Sequence, residues 1–406
     1  MPLPRVSLQS FLSSAKSALA TSVQQTSPVT FVIGNESADL DSLCSAIVLA
    51  YLRTYASSSK HNTLYIPLSN LPHADLALRP ELIPVLSRAN LKPSDLLTLS
   101  DLPRLSQISS KLPAEKTRWI LVDHNALQGE LGRIYGTRVV GCIDHHDEEG
   151  KVPRDCGEEP RVVRKSGSCS SLVVEHCREA WDALSKKSED KESVSWDAEL
   201  AQLALAPVLI DTTNLTDKNK VTPTDIEAVE YLESKIRAEP AIKFNSEEHF
   251  KVVSAAKSDI GGLSLPDILR KDYKQWNEAG DVKLGISSVV KDMQFLIDKA
   301  GNEEKFFTAL EDFSRERDLS VCSIMTTSQK DGKFQRELFV WGLGERGVEA
   351  AKKFEASSRE ELGLQQWSDG LLDLDGGKQW RRCWWQHRVE NSRKQVAPMM
   401  RTAIQR

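Results

Sequence analysis

Residues 29–56 read VTFVIGNESADLDSLCSAIVLAYLRTYA, and this stretch decides the fold class. It opens with five apolar or β-branched residues, passes through a polar loop and ends in an apolar run of helical length, which predicts a buried strand, a loop and a helix. A buried strand that leads into a helix is the repeating unit of a parallel sheet covered by helices. The chain is therefore predicted to be an α/β protein.

The alternation of strands and helices continues on the C-terminal side of this stretch. Further strands are predicted at 63–68, 118–124 and 138–146, and helices at 78–91, 170–187 and 196–210. A second, smaller α/β domain is predicted from the strand patterns at 282–290, 319–327 and 336–343. We place the boundary near residue 235, which gives an N-terminal domain of mainly parallel sheet with flanking helices at 1–235 and a second domain at 236–406.

Composition limits the classes of function. The 406 residues are 40% hydrophobic and 27% charged, as in globular proteins, and two to three domains are expected. No stretch approaches the ~20 apolar residues of a membrane-spanning helix, so no membrane association is expected. The net charge of −5 argues against a wholly basic surface, although residues 380–395 form a local basic stretch. Its tryptophans alternate with arginines as in a half-buried strand, so no nucleic-acid partner is expected.

The cysteines and the N-terminus bear on the compartment. Seven cysteines are scattered without a CxxC pair, which favours neither a disulfide framework nor a zinc site and indicates a reducing compartment. The first 35 residues contain no acidic side chain and superficially resemble a transit peptide. We favour the interpretation that residues 8–19 form an amphipathic helix leading into the first strand. A cytoplasmic location is expected.

Carboxylates and histidines follow several of the predicted apolar segments. These residues are Asp39, Asp41, Asp123, Asp144, His145, His146 and Asp211. The carboxyl ends of parallel strands meet at one crevice, where several carboxylates would repel each other unless cations neutralised them. Carboxylates with imidazole suit Mg²⁺ or Mn²⁺, and two such ions ~3.5–4 Å apart commonly serve phosphoryl hydrolysis. The residues therefore predict a metal site.

Each cluster taken alone has a simpler interpretation. Asp39 or Asp41 could cap the helix that follows, Asp123 could form a turn, and the histidines could be surface residues. The joint occurrence of the clusters in one α/β half favours the metal site. The small residues GSCSSLV at 167–173 could present backbone amides to an anion or permit tight helix packing. Cys169 is not expected to be a nucleophile, because no basic partner is evident.

The order of these motifs, NxxxDxDS, DHN, DHH and DT, resembles the DHH phosphoesterase superfamily. NESADLDS, GSCSSLV and LIDTTNL are similar to the eukaryotic, fungal-type exopolyphosphatase branch. The segments LRKDYKQW at 269–276 and SRKQVAP at 392–398 resemble motifs of the family's C-terminal DHH-associated domain. The resemblance implies an active site in the cleft between the two domains.

The resemblance also implies roles for individual residues. One metal would be held by Asp39 and Asp123 with Asn35 nearby, and a second by Asp41, Asp123, His145 and Asp211. Asp123 would bridge the metals, and His146 would contact the substrate and assist the leaving group. The phosphate oxygens would be bound by Lys274, Arg393 and Lys394, with Lys271 competing for the place of Lys274.

Two positions distinguish branches of the family. The related pyrophosphatases carry histidine where this chain has Asn35, and an amide is a weaker ligand than imidazole for Mn²⁺ or Co²⁺. Animal prune proteins carry arginine in place of His146. The expected function is thus an exopolyphosphatase in which water activated by two divalent ions, Mg²⁺ or Mn²⁺ with Co²⁺ as a third candidate, removes terminal phosphate from inorganic polyphosphate.

Other functions stay open at this point. The alternative enzymes are an inorganic pyrophosphatase and a prune-like nucleotide phosphodiesterase. A non-catalytic interaction protein is a further alternative, against which the complete set of mutually repelling carboxylates argues. Inorganic polyphosphate is the expected partner, and the chain is expected to be a monomer.

Overall fold

The computed structural model describes residues 3–56, 63–187, 191–330 and 332–405. The chain forms two compact units, Met1–Asp259 and Ile260–Arg406. Both combine a sheet with helices, so the predicted α/β class is confirmed. The units are described in turn.

Unit 1 is built around a five-stranded parallel sheet. Its strands are β1 (Val29–Ile33), β2 (Tyr65–Leu68), β3 (Thr117–Val122), β4 (Val139–Asp144) and β5 (Arg161–Val163), in the order β2-β1-β3-β4-β5. The first two strands are buried along their whole length. Continuous apolar strands of this kind are typical of parallel sheets with both faces covered.

Nine helices of unit 1 lie in the described ranges. They are α1 (Leu8–Gln25), α2 (Leu40–Tyr55), α3 (Leu82–Arg88), α4 (Leu105–Lys111), α5 (Gly129–Tyr135), α6 (Cys169–Lys187), α7 (Lys191–Asp211), α8 (Pro223–Arg237) and α9 (Ser246–Ser258). The predicted N-terminal helix is confirmed as α1, whose Leu8, Phe11, Leu12, Ala15 and Leu19 are buried in the unit 1 core. Their spacing places these residues on one helical face.

Between β1 and β3 the sheet has a topological switch point, from which the chain proceeds toward opposite edges of the sheet. This point determines where a ligand can bind. Strand β1 pairs with both β2 and β3, so the chain leaves the sheet in opposite directions after β1 and β3. In sheets of this order, ligands bind outside the carboxyl ends of the strands at such a switch point. The loop after β1 and Asp123 after β3 lie at this point.

Unit 2 contains a seven-stranded mixed sheet. Its strands are β6 (Tyr273–Glu278), β7 (Val282–Val289), β8 (Val321–Lys330), β9 (Lys333–Leu343), β10 (Leu364–Gln366), β11 (Leu374–Gly376) and β12 (Gln379–Gln386). The order is β10-β12-β9-β8-β7-β6, and β11 pairs with β12. Only the β7–β8 pair is parallel among the described strand pairs of this sheet. The three predicted strands form its centre.

Helices cover both faces of the unit 2 sheet. They are α10 (Leu265–Lys271), α11 (Met293–Ala300), α12 (Glu303–Glu316), α13 (Gly344–Leu362) and α14 (Arg393–Gln405). One apolar cluster joins α10, α11 and α12 to the sheet, and a second joins α13 and α14 to it. In β12, Trp380 and Trp384 are buried in the second cluster and Cys383 in the first, so both faces of the strand are covered. The prediction that this strand has one buried and one exposed face is therefore wrong.

The first compact unit extends beyond the boundary predicted near residue 235. Helix α8 ends at Arg237, and α9 follows it before the division at Asp259. Val253 of α9 belongs to the apolar core of unit 1, and both α8 and α9 pack on α7. The sequence after the proline at position 240 therefore continues the first unit for one more helix.

Acid is expected to destabilise unit 1 through His249 on α9. This imidazole is 1% exposed, and neither ring nitrogen has a hydrogen-bond partner among the described residues. Burial, with a smaller contribution from Arg88, lowers the pKa of His249 from 6.5 to about 4. The unfolded chain therefore binds the proton more tightly, and stability is lost as the pH falls from about 6.5 to about 4.

The expected loss through His249 is roughly 2–3 kcal/mol, measured by urea unfolding at pH 7 and pH 4.5. His249→Leu removes the titrating group and should lose less stability than the wild type over the same interval. An equal loss in both proteins would contradict this prediction.

Two further observations concern the whole described chain. None of its helices is long and apolar enough to cross a bilayer. All seven cysteines are free thiols.

Candidate metal centre

Asp123 lies at the centre of the predicted site, directly after β3. Its backbone adopts a φ of 62°, in the left-handed region where aspartate is tolerated better than most residues. The Asp123 N–H donates to the Ile143 carbonyl of β4 at 3.0 Å, which ties this turn to the neighbouring strand. The carboxylate is consequently held at the carboxyl end of the sheet, where it is 2% exposed.

Side chains from several other elements contact the Asp123 carboxylate. Asn35 Nδ2 and Ser42 Oγ each donate to its Oδ2 at 2.7 Å. His145 Nε2 lies 3.1 Å from its Oδ1. Asp123 thus joins the loop after β1, the start of α2 and the end of β4 at one carboxylate.

Asn35 has a fixed amide orientation. Its Oδ1 accepts from the backbone N–H of Ser37 at 2.8 Å, and its Nδ2 donates to the backbone carbonyl of Asp123 at 3.1 Å. A backbone donor and a backbone acceptor leave no ambiguity between the amide oxygen and nitrogen. Asn35 therefore presents its N–H groups to Asp123.

Asp41 lies near the start of α2 and is held by the start of α6. Its carboxylate accepts from Cys169 N at 2.6 Å, Ser170 N at 2.9 Å and Ser168 Oγ at 2.9 Å. Of the two roles suggested for residues 167–173, backbone amides do point at an acidic group, the Asp41 carboxyl, and Gly167 also packs closely against Thr212. An amide-bearing helix N-terminus is a favourable environment for a carboxylate.

The surroundings nevertheless disfavour the charge on Asp41. Burial, and then the charges of Asp123, Asp211 and Asp39, raise the pKa of Asp41 well above its ordinary value. All the hydrogen-bond donors to Asp41 within the described chain are neutral groups. Four predicted ligands therefore lie close enough to repel one another, as predicted for a site that a cation neutralises.

The two histidines of the DHH motif are oriented by different partners. His145 Nδ1 lies 3.0 Å from the Ser166 carbonyl, which can only accept, so the proton is on Nδ1 and Nε2 points to Asp123. His146 Nδ1 lies 2.8 Å from Asp144 Oδ1. Asp144 Oδ2 in turn accepts from Asn125 Nδ2 at 2.6 Å. The Nδ1 of each imidazole thus lies at hydrogen-bonding distance from an acceptor oxygen.

Asp39 and Asp211 complete the acidic set from two helix ends. Asp39 is the N-cap of α2, and its Oδ1 accepts from Ser42 N at 3.0 Å. The interpretation of Asp39 as a helix-capping residue is therefore confirmed. Asp211 is the last residue of α7 and is half-buried. The charges of both act on Asp41, which places them in the same cluster.

Comparison with known proteins agrees with this geometry. Residues 29–208 match the family model of the DHH family N-terminal domain, and residues 251–403 match the DHHA2 domain. A candidate exopolyphosphatase of Schizosaccharomyces pombe is 32% identical over 389 residues, which cover 95% of this chain and 93% of that protein. The chain belongs to the DHH family.

Two more distant proteins share the arrangement of this DHH-family chain. A manganese-dependent inorganic pyrophosphatase of Methanothrix thermoacetophila is 26% identical over 93% of this chain and 98% of its own length. The crystal structure of a candidate family II inorganic pyrophosphatase from Methanococcus jannaschii superposes with a TM-score of 0.58 at 22% identity. It covers 92% of this chain and 99% of its own chain, which shows a common fold.

The donor set in this DHH domain fits a divalent metal ion. Asp123, His145 and His146 offer ligand atoms that all lie within 4.8 Å of one another. Carboxylate oxygens and neutral imidazole nitrogens suit Mg²⁺, Mn²⁺ and similar ions, and the repulsion at Asp41 supplies a reason to bind them. Of the predicted metal ligands, Asp123 and His145 belong to this group and Asn35 contacts Asp123. The charges of Asp123, Asp39 and Asp211 act on Asp41.

The predicted phosphate ligands of the DHHA2 domain lie near one another within unit 2. Lys274 is on β6, and Arg393 and Lys394 begin α14. Arg393 donates to the Asp272 carbonyl at 2.9 Å and to Asp272 Oδ1 at 2.7 Å, two residues before Lys274. The competing Lys271 is 7% exposed, whereas Lys274 is partly exposed, which favours Lys274 as the residue that meets a ligand.

Sequence reasoning did not identify several side chains that shape this DHH-family site. Ser42 lies inside NESADLDS at the start of α2, and Asn125 lies inside VDHN just after β3. Their place within these motifs was the available signal. Burial raises the pKa of the Cys169 thiol well above its ordinary value, and its Sγ donates to the Ile143 carbonyl. Cys169 is therefore protonated, in line with the prediction that it is no nucleophile.

Proposed function

We propose that this DHH-family protein is an exopolyphosphatase that removes terminal phosphate from inorganic polyphosphate with the help of divalent metal ions. The proposal rests on one observation: Asp123, His145 and His146 bring their potential ligand atoms within 4.8 Å of one another. Asp41 interacts with the charges of Asp123, Asp39 and Asp211. The resemblance to the Schizosaccharomyces pombe protein supports the choice of substrate. A cytoplasmic location and a monomeric state belong to the same proposal, and the seven free thiols support a reducing compartment.

The metal ligands follow the assignment made from the motifs. Asp39 and Asp123 would hold one ion with Asn35 nearby, and Asp41, Asp123, His145 and Asp211 would hold a second. Bound divalent ions lower the pKa of water and neutralise charge on phosphate oxygens. Asn35 N–H groups orient the shared Asp123 carboxylate, and the Ser166 carbonyl keeps His145 Nε2 directed at the site.

The remaining residues act on the phosphate chain. Water adds to the terminal phosphorus as the bond from that phosphorus to the bridging oxygen breaks. His146 donates a proton from Nε2 to the departing oxygen, while Asp144 holds Nδ1 and stabilises the charged imidazole. Arg393, Lys274 and Lys394 bind non-bridging oxygens, and the planar Arg393 guanidinium can do so through two N–H groups.

An inorganic pyrophosphatase is the second candidate, favoured by the resemblance to the Methanothrix thermoacetophila enzyme. The two candidates use the same ligands and differ in substrate. Phosphate release should be measured with Mg²⁺, Mn²⁺ and Co²⁺ on long-chain polyphosphate, tripolyphosphate, pyrophosphate and a cyclic nucleotide. Release from the long chain with pyrophosphate left intact is expected. Preference for pyrophosphate or the nucleotide would overturn the substrate, and no release from any would overturn the enzyme.

Arg393→Ala is expected to lower kcat/KM for polyphosphate by about 10- to 100-fold, because charged hydrogen bonds to phosphate are lost. Arg393→Lys should lower kcat/KM less than Arg393→Ala does, since lysine keeps the charge but not the paired N–H groups. Arg359→Ala is a matched control, since Arg359 is an exposed arginine of α13 bound to Glu355. The measurement is kcat/KM for polyphosphate from steady-state kinetics at saturating metal. Equal kcat/KM values for Arg393→Ala and Arg359→Ala would contradict the assignment of Arg393 as a phosphate ligand.

A further inference from the structure

Asp225 is a fully buried carboxylate at the third position of α8, away from the motifs that suggested the site. Two of its hydrogen bonds come from Thr222, the N-cap of the same helix, at 2.8 Å from N and 2.7 Å from Oγ1. The bond from the Thr222 N–H is half of an ordinary capping box, in which the Thr222 hydroxyl also accepts from the Asp225 N–H. The bonds from Thr222 are only part of the hydrogen bonds that the Asp225 carboxylate accepts.

Four other donors to Asp225 come from the segment 166–171. They are Ser166 Oγ at 3.0 Å, Gly167 N at 2.9 Å, Ser168 N at 3.2 Å and Ser171 Oγ at 2.6 Å. Asp225 Oδ1 accepts from the three serine donors, and Oδ2 accepts from Gly167 N and from both donors of Thr222. Only an acceptor without N–H groups of its own can satisfy this set.

The same segment orients two of the proposed metal ligands. The Ser166 carbonyl fixes His145 through Nδ1 at 3.0 Å. Ser168 Oγ and the amides of Cys169 and Ser170 bind the Asp41 carboxylate at 2.6–2.9 Å. Asp225 thus binds one side of the segment while the ligands bind the other.

Close packing links Asp225 to a third proposed ligand. A Cβ added at Gly167 would lie 2.8 Å from Asp225 Oδ2 and 2.7 Å from Thr212 Cγ2, so only glycine fits between them. Thr212 directly follows Asp211. The carboxylate therefore packs through Gly167 against the residue next to Asp211.

We propose that Asp225 is a positioning residue for the metal centre, which holds segment 166–171 in the conformation that aims His145 and Asp41 at a divalent ion. The inference rests on the proposed function in assigning those two residues as metal ligands. Partners that orient metal ligands typically contribute 10- to 100-fold in metal affinity. A residue that only caps α8 would contribute to stability alone.

The test compares Asp225→Asn with Thr222→Val in the full chain. The Mn²⁺ dissociation constant is measured by titration calorimetry, and thermal unfolding is measured without metal. Asp225→Asn turns an N–H group toward donors and should weaken Mn²⁺ binding about 10- to 100-fold, with activity recovered at high Mn²⁺. Thr222→Val removes a hydroxyl that binds Asp225 from the N-cap of its own helix and not from segment 166–171. It should lower the Tm while Mn²⁺ affinity stays within about twofold.

Ser171→Ala is a milder second variant if Asp225→Asn does not fold. It removes one donor to Asp225 from a helix position where alanine is favourable, and should weaken Mn²⁺ binding in the same direction by a smaller factor. Unchanged Mn²⁺ affinity in Asp225→Asn, or in Ser171→Ala where only that variant folds, would overturn the role of Asp225. Equal weakening in Thr222→Val would overturn it too. Absence of Mn²⁺ binding to the wild type would instead overturn the proposed function.

Discussion

Replacing Asp123 with asparagine is expected to lower metal-dependent phosphate release by at least about 10³-fold while the protein stays folded. The change is nearly isosteric, and the amide oxygen can still accept from Asn35 and Ser42. Its N–H group can donate to His145 Nε2, which now lies 3.1 Å from the carboxylate. What is lost is the negative charge that both proposed metal ions share.

The same substitution should make the metal-free protein more stable. Of the charges that raise the pKa of Asp41, that of Asp123 contributes most, and its removal relieves repulsion in a buried cluster. We expect the metal-free Tm to rise by about 2–4 °C and the Tm increase on adding Mn²⁺ to disappear. Phosphate release and calorimetric scans with and without metal measure both effects.

Asp147→Asn is the matched control for Asp123→Asn. Asp147 directly follows the DHH motif, but its side chain is exposed and paired with Lys165. Surface pairs of this kind contribute little, so activity and Tm should stay near those of the wild type. A folded Asp123→Asn protein with near-normal turnover would show that this carboxylate is no metal bridge.

Replacing His146 with glutamine is expected to lower kcat by about 10²- to 10⁴-fold, the usual contribution of a general acid, with Mn²⁺ affinity changed only a few-fold. The reason is that the two histidines have different proposed roles, His145 as a metal ligand and His146 as the proton donor. His145 points Nε2 at Asp123 and has a side chain 3% exposed, whereas the His146 side chain is 25% exposed and is held by Asp144. His146 is thus the imidazole that a substrate can reach.

His145→Gln separates the two roles in the same experiment. It should weaken Mn²⁺ binding and lower kcat together, because it removes a proposed ligand. Titration calorimetry with Mn²⁺ and initial rates at saturating metal distinguish the variants. If His146→Gln weakened Mn²⁺ binding as much as His145→Gln while its rate recovered at high metal, His146 would be a ligand and not the proton donor.

The central strands and the proposed ligands were predictable because both leave local signals. The apolar run at 29–33 and the following polar loop identify β1 and its carboxyl end without any knowledge of its neighbours. The short strand β5 was not predicted, since it has three residues and exists by pairing with β4. The boundary predicted near residue 235 precedes helix α9, whereas packing on α7 places α9 in the first compact unit. Local sequence does not carry that contact.

The surroundings of the ligands could not be predicted from sequence. Asn125 and Asp144 are 19 positions apart and meet only because β3 and β4 are neighbours in the sheet. The sequence TPTD predicts only a helix-capping role for Asp225. Its contacts with segment 166–171 depend on how α6 and α8 pack against each other. Residue types suggested which groups carry chemistry, whereas tertiary structure determines which groups orient them.

Anomalous diffraction from crystals of the protein grown with Mn²⁺ tests the metal centre most directly. We expect two peaks ~3.5–4 Å apart, both bound by Asp123, one also by Asp39 and the other by Asp41, His145 and Asp211. A fully occupied site elsewhere in the chain, or no peak near Asp123 at a Mn²⁺ concentration that supports phosphate release, would contradict the proposed centre.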